Sequence, residues 1–154
     1  MNTREHWIYL SPHLDDAVLS CGGLIWEQIQ RGIRVEIWTL FAGDPSPGTL
    51  TPFAQSLHER WGIGVEAVHA RRMEDADACS RLGAATRHFA YPDCIYRRTH
   101  SGVPVIRVEE DLFQVGYAGE QSLIQEIRAM LQENLPSNAV LAACCGIGSH
   151  IDHQ

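Results

Sequence analysis

Apolar residues along the chain follow two different spacings, and the change between them predicts alternating strands and helices. Short segments that we predict as strands occur at 7–10, 35–40, 86–89 and 139–144. Segments with apolar residues at helical spacing lie between them, at 17–30, 54–61, 66–82 and 120–134. Gly32 and Gly83 follow two of these segments, and glycine commonly ends a helix. Strands separated by helices indicate a largely parallel sheet.

This alternation predicts one α/β domain spanning residues 1–154, with a Rossmann-like, mostly parallel sheet and helices on both faces. No periodic pattern appears from 91 to 119, so we expect a loop there. The segment 120–134 is amphipathic. Its apolar residues are expected on the buried side of the helix: Leu123, Ile124, Ile127, Met130 and Leu131.

Composition excludes several classes of function. The net charge is −7 and the arginines form no basic stripe, which argues against a nucleic-acid partner. The chain has no lysine, so it has neither a Schiff-base nucleophile nor a Walker-A lysine. No apolar run approaches the roughly 20 residues of a membrane span. Five cysteines without a CxxC pair, and no signal peptide, favour a cytoplasmic protein with reduced thiols.

Polar residues follow the first and last predicted strands. His13, Asp15 and Asp16 come after the first, where the glycines of a dinucleotide-binding loop are absent. His150 and His153 follow the last. Ligands of open parallel sheets bind at the carboxyl ends of the strands, so the two clusters share one crevice if the two strands lie near each other.

Two histidines and a carboxylate around a divalent ion, with one position left for water, form the catalytic type of zinc site. An adjacent carboxylate can then act as a base, which suits a division of labour between Asp15 and Asp16. Either cluster alone has a simpler explanation, because an aspartate can cap the helix that begins at Ala17 and a terminal histidine can be solvated. Both clusters together predict a metal site.

The segment Ser-Pro-His-Leu-Asp-Asp-Ala at 11–17 resembles the Pro-His-Pro-Asp-Asp signature of the PIG-L/LmbE-like deacetylase family, with Leu14 in place of a proline. Arg-Arg-Met-Glu at 71–74 before Leu82-Gly83, Tyr-Pro-Asp at 91–93 and His-Ile-Asp-His at 150–153 are similar to further motifs of that family. The likeness runs along nearly the whole chain. It implies removal of an acetyl group from an N-acetylglucosamine-type compound by a divalent metal, usually zinc, on a Rossmann-like fold.

The resemblance also implies roles for individual residues. The expected metal ligands are His13, Asp16 and His153. Asp15 is the expected general base, and a protonated His150 is expected to stabilise the oxyanion. The expected contacts with the substrate are Arg71 and Asp93, with Asp44 as a weaker candidate.

Several alternatives stay open at this point. Iron(II) or cobalt(II) suits the same ligand set as zinc. The substrate is an acetylated amino sugar or its glycoside, or else another amide such as a thiol conjugate. A non-catalytic metal-binding fragment is the third hypothesis, because we expect the chain to lack the C-terminal segment that family members usually carry. The sequence leaves homo-oligomerisation undecided.

Overall fold

The computed structural model describes residues 5–46, 48, 50–62, 64, 66–114 and 119–154. The strands in these ranges are β1 His6–Ser11, β2 Arg34–Thr39, β3 Ala85–His88 and β4 Ala139–Ala142. The α-helices are α1 Asp16–Gln30, α2 Pro52–Arg60, α3 Ala67–Leu82 and α4 Gln121–Asn134. Each predicted strand and helix is found within a few residues of its expected bounds.

The strands form one sheet in the order β3-β2-β1-β4, and every neighbouring pair is parallel. Strand β1 therefore lies inside the sheet, with Ser11 opposite Thr39 of β2 and Tyr9 opposite Ala142 of β4. The carboxyl ends of all four strands lie at the same edge. The predicted parallel α/β fold is confirmed.

Helices α1 and α3 cover one face of the sheet. Tyr9 and Ile37 from the strands pack there against Ile25 of α1 and Cys79 of α3. The connection from β1 to β2 runs one way across the sheet, and the connection from β3 to β4 runs the opposite way. Because crossovers between parallel strands are right-handed, α4 lies on the face opposite α1. In the described part of the chain, no helix combines the length and apolar character needed to cross a membrane.

The apolar face of α4 is less buried than expected. Its side chains at 123, 127, 130 and 131 are half-buried, whereas Ile124 is 48% exposed and no residue of the helix is fully buried. Val140 and Leu141 of β4 are also exposed, and β4 has a strand neighbour on one side only among the described residues. Amphipathic spacing predicts which face of a helix turns inward but not how much structure covers it. Apolar side chains of β4 and α4 therefore lie at the surface of the described residues.

The segment from 91 to 119 is mostly irregular, as expected, over the residues that the structure describes; 115–118 lie outside the described ranges. It differs from the expectation in containing two short 3₁₀ helices, Cys94–Tyr96 and Glu109–Leu112, and in forming part of a second core. A short 3₁₀ helix at Cys94–Tyr96 is buried, and Ile106 packs with it against α2 and α3. The Tyr96 hydroxyl lies 2.7 Å from His58 Nε2. Irregular backbone brings these residues together without a regular apolar spacing, so the sequence pattern contained no signal of it.

Gly43 lets the segment that follows β3 approach the segment that follows β2. Its backbone N–H donates to the Tyr91 carbonyl over 2.9 Å, and a Cβ atom at this position would lie 2.3 Å from the Ala90 carbonyl oxygen. A side chain here would push the 90–93 segment away. Close backbone approach is one of the specific uses of glycine.

We predict that Gly43→Ala lowers thermal stability and displaces the 90–93 segment, because backbone atoms meet the added methyl group. Gly23→Ala is the matched control, since the same methyl group in α1 meets nothing within 4 Å. That control should raise stability by about 0.5–1 kcal/mol through its helix propensity. Thermal unfolding measures both, and equal midpoints for the two variants would contradict the prediction.

Candidate metal centre and active site

The loop that leaves β1 is fixed by hydrogen bonds on both sides. The Phe41 N–H donates to the Pro12 carbonyl over 2.9 Å, which extends the β1–β2 pairing beyond the strands. The buried Ser11 hydroxyl donates to the His13 carbonyl (2.7 Å) and accepts from the Ala17 N–H (3.0 Å). The loop therefore presents its side chains from a rigid support.

Asp15 has a left-handed backbone conformation (φ 86°) at the start of α1, although it is not a glycine. Such a conformation costs about 1–3 kcal/mol and persists only where surrounding contacts hold it. The Asp15 N–H donates to Asp75 Oδ1 over 3.0 Å. Its side chain makes no capping hydrogen bond to the helix and lies 3.7 Å from Arg71. The simpler reading of Asp15 as a helix cap is therefore not supported.

Three side-chain atoms from the two ends of the chain form a nearly equilateral triangle. His13 Nδ1 lies 3.4 Å from Asp16 Oδ2 and 3.2 Å from His153 Nε2. His153 Nε2 lies 3.2 Å from the same oxygen of Asp16. Ligands about 2.0–2.1 Å from a tetrahedral zinc ion are roughly 3.3 Å apart. The three residues expected as metal ligands are thus brought together at a spacing that fits one divalent cation.

A second, overlapping group of ligand-type residues consists of His13, Cys94, His150 and Asp152. It fits a cation less well. Asp152 Oδ2 already accepts from His13, from the Cys94 N–H and from Arg97, whose positive charge opposes a cation there. Burial also raises the pKa of the Cys94 thiol well above its usual range. The donor set therefore favours the triangle.

The far side of the His13 ring is held by Asp152. With Nδ1 in the triangle, the Nε2–H of His13 donates to Asp152 Oδ2 over 2.9 Å. A carboxylate in this position fixes the tautomer and the orientation of a metal-binding histidine. The side chain of Asp152 is itself buried and accepts from both terminal nitrogens of the Arg97 guanidinium. The orientation of His13 thus depends on a contact between β1 and the last residues of the chain.

Arg97 is nearly buried and connects this arrangement to the rest of the fold. Its guanidinium donates two hydrogen bonds to Glu120, at 2.6 and 2.7 Å, and one to the Pro92 carbonyl at 3.0 Å. It also lies over the Phe41 ring, which packs beside His13. Planar, bidentate pairing suits arginine rather than lysine.

The electrostatics of this centre favour positive charge. Burial opposes protonation of His13, but the carboxylates of Asp93, Asp152 and Asp16 outweigh burial and raise its pKa to about 10. Burial likewise opposes ionisation of Asp16, yet hydrogen bonds from His13 and His153 hold its pKa well below the usual range. A cation that binds the triangle must therefore displace a proton from His13.

His150 lies beside the triangle, with its ring centre 5.0 Å from that of His13 and 4.9 Å from that of His153. Burial and the charge of His13 lower its pKa, so the free site does not favour the protonated form expected from the sequence. His150 Nδ1 accepts from the Asp152 N–H (3.3 Å), which leaves Nε2–H as a donor on the neutral ring. Burial raises the pKa of Asp15, as do the neighbouring carboxylates.

The expected substrate contacts occupy different positions relative to the triangle. Asp93 Oδ2 lies 3.6 Å from His13 Nε2, while its other oxygen caps the short helix that begins at Cys94. Arg71 donates to the Leu14 carbonyl over 3.1 Å and lies beside Asp15. Asp44 is exposed and accepts from Arg72 over 3.0 Å, and no described contact joins it to the triangle.

Three residues of this site were not predicted from the sequence pattern: Asp152, Arg97 and Asp75. Asp152 lies between His150 and His153 in the sequence, so its position could have identified it as part of the site. Asp75 shares the buried stripe of α3 with Val68 and Cys79, where a carboxylate is unexpected. Arg97 lies in an irregular segment, and its pairing is visible only in three dimensions.

Comparisons with known proteins identify the family of this chain. Residues 8–154 match the PIG-L family, described as GlcNAc-PI de-N-acetylase. A 2'-N-acetylparomamine deacetylase of Niallia circulans is 30% identical over 166 residues, covering 98% of this chain and 59% of the relative. The zinc-inhibited form of teicoplanin deacetylase is 34% identical with a TM-score of 0.79, covering 96% of this chain and 59% of that one.

The A40926 pseudoaglycone deacetylase is 36% identical with a TM-score of 0.71, covering 97% of this chain and 55% of that one. N,N'-diacetylchitobiose deacetylase from Pyrococcus horikoshii, at 17% identity and a TM-score of 0.58, shares the fold. The chain thus spans less than two thirds of the length of each of these proteins.

We predict that metal affinity rises with pH. His13 is protonated in the metal-free site up to a pKa of about 10, and the metal requires its neutral form. Below that pKa, displacement of one proton raises the apparent affinity about tenfold per pH unit. Competition with a chelator of known pH behaviour, measured between about pH 7 and 8.5, tests this. An affinity independent of pH would contradict it.

We also predict that Asp152→Asn lowers metal affinity about 10-fold to 100-fold, since His13 loses its charged partner. Asp77→Asn is the matched control, because Asp77 is an exposed residue of α3 that pairs only with Arg81 in the described contacts. Chelator competition measures both variants. If Asp152→Asn and Asp77→Asn lost metal affinity equally, or if neither lost any, Asp152 would not orient His13 for metal binding.

Proposed function

Since the chain belongs to the PIG-L family of GlcNAc-PI de-N-acetylases, we propose that it is a divalent-metal-dependent hydrolase that removes the acetyl group from an N-acetylated amino sugar or its conjugate. The main observation behind this proposal is the ligand triangle of His13, Asp16 and His153. The loop that carries His13 and Asp16 also carries Asp15, whose carboxylate makes no capping hydrogen bond. Named relatives deacetylate a paromamine derivative, teicoplanin and the A40926 pseudoaglycone, so we assign a glycosylated substrate.

We assign zinc as the cation, with iron(II) and cobalt(II) as ions that the same donors accept. A zinc-inhibited form of teicoplanin deacetylase makes the identity of the activating ion an experimental question. When bound, such an ion supplies Lewis acidity, which lowers the pKa of water and polarises an amide carbonyl. His13, Asp16 and His153 hold it, and Asp152 fixes the orientation of His13.

Asp15 is assigned as the general base. It takes a proton from the attacking water and later donates a proton to the amine that leaves. Burial and the nearby carboxylates raise its pKa, which strengthens it as a base, while Arg71 at 3.7 Å keeps its charged form accessible. Such proton transfer contributes about 10²–10⁴ to the rate.

His150 is assigned as the hydrogen-bond donor to the oxyanion that develops on the amide oxygen. The neutral ring suffices, because Nδ1 is occupied by the Asp152 N–H and Nε2–H remains available. Asp93 and Arg71 are assigned to sugar hydroxyls, and Asp44 is the outermost candidate because its side chain is exposed. A cytoplasmic location fits the five free thiols and stays a prediction.

We predict that the purified chain binds about one metal ion and releases amine from N-acetylglucosamine glycosides, and that chelation abolishes the release. Asp15→Asn should lower turnover about 10²–10⁴-fold with metal still bound, because only the base is lost. Asp77→Asn serves as the control, with turnover unchanged. Elemental analysis and an amine-release assay give both readouts.

The outcomes separate the competing functions. Metal without turnover on any acetylated sugar would support a non-catalytic binding domain. Turnover restricted to acylated thiol conjugates would keep the chemistry but change the substrate class. An Asp15→Asn variant as active as the unmodified chain would remove Asp15 from the mechanism.

A further inference from the structure

Asp75 on α3 is a fully buried carboxylate with no assigned function. Burial of a carboxylate is unfavourable unless hydrogen bonds satisfy its oxygens. Oδ1 accepts from the Asp15 N–H over 3.0 Å. Oδ2 lies 2.7 Å from His88 Nε2 and 3.4 Å from the Thr39 hydroxyl. These three partners of Asp75 therefore lie at the carboxyl edge of the sheet, and one of them, Asp15, directly precedes the proposed metal ligand Asp16.

The contact with Asp15 holds the least favourable backbone conformation in this loop. Asp15 is left-handed, whereas Asp16, the next residue, begins α1. This change of direction sends the Asp16 carboxylate to the triangle with His13 and His153, and leaves the Asp15 carboxylate beside Arg71. The position of the Asp15 carboxylate thus depends on the conformation that Asp75 fixes, whereas Asp16 is also held by the His13 N–H, which donates to its Oδ2 over 2.9 Å.

Side chains from two strands orient the carboxylate of Asp75. Thr39 and His88 are register partners at the ends of β2 and β3, so their side chains project from the same face of the sheet. Both contact the same oxygen of Asp75. One oxygen of the Asp75 carboxylate is therefore held by side chains of two strands, and the other accepts from the Asp15 N–H. Hydrogen bonds of this kind from a rigid element hold a catalytic side chain in position.

We propose that Asp75, oriented by His88 and Thr39, is the positioning residue that holds Asp15 in place to act on the reacting atoms. This inference rests on the proposed function, in which Asp15 is the base. A purely stabilising role for Asp75 would instead tie α3 to the sheet without any specific effect on turnover. The two roles differ in what they do to kcat, KM and metal affinity.

The test compares two substitutions at this position. Asp75→Leu removes the acceptor while keeping similar bulk, so Asp15 loses its anchor. We expect kcat to fall about 10-fold to 100-fold, because a small displacement of a catalytic group has effects of this size. KM and metal affinity should stay within about threefold, since Asp16 remains a ligand. Asp75→Asn keeps an oxygen acceptor for the Asp15 N–H, and should restore kcat to within about threefold of the unmodified chain.

Amide hydrogen exchange at Asp15 tests the contact without any reference to activity. The Asp15 N–H should be protected in the unmodified chain and in Asp75→Asn, and should lose protection in Asp75→Leu. The Phe41 N–H, which donates to Pro12, is the internal control and should stay protected in all three. If Asp75→Leu fails to fold, an unprotected Asp15 amide in the unmodified chain still overturns the proposal.

The results also distinguish this inference from the proposed function. If the unmodified chain has no deacetylase activity, the proposed function fails, and with it the catalytic purpose of Asp75, whatever the exchange data show. If the unmodified chain is active and Asp75→Leu has the same kcat, only the positioning role is overturned. A parallel loss of metal affinity, with kcat unchanged in the metal-loaded protein, would likewise overturn it in favour of a structural role.

Discussion

The site depends above all on the parallel pairing of β1 with a strand on each side. Pairing with β2 and β4 places the end of β1 inside the sheet, next to the segment that follows β4. His13 and His153 are 140 positions apart in the chain, yet their ring nitrogens lie 3.2 Å from each other. A shift of one residue in either register would reverse the side chains of a strand and separate the two clusters.

Charge balance is the second constraint on the site. The carboxylates of Asp16, Asp93 and Asp152 surround His13, and the raised pKa of its ring shows how strongly they favour a positive charge. Arg97 neutralises the most buried of them and excludes a cation from that side. The position left for a divalent ion is thus the triangle, where histidine nitrogens and one carboxylate oxygen face each other.

Much of this was predictable from sequence, and the reasons for the failures are physical. The alternation between strand and helix patterns predicted the elements and their order along the chain. The two polar clusters contained the side chains that lie together at the carboxyl edge of the sheet. Spacing did not predict the support provided by Asp75 or Arg97, because each acts through contacts between segments distant in the chain. It also overestimated the burial of α4, since burial depends on what covers a helix.

X-ray absorption spectroscopy of the zinc-loaded protein tests the central claim, the identity of the ligand triangle, most directly. We expect nitrogen and oxygen neighbours at about 2.0–2.1 Å, with scattering from two imidazole rings and no sulfur. A sulfur neighbour at about 2.3 Å would contradict it, because it would place the ion in the overlapping group that contains Cys94.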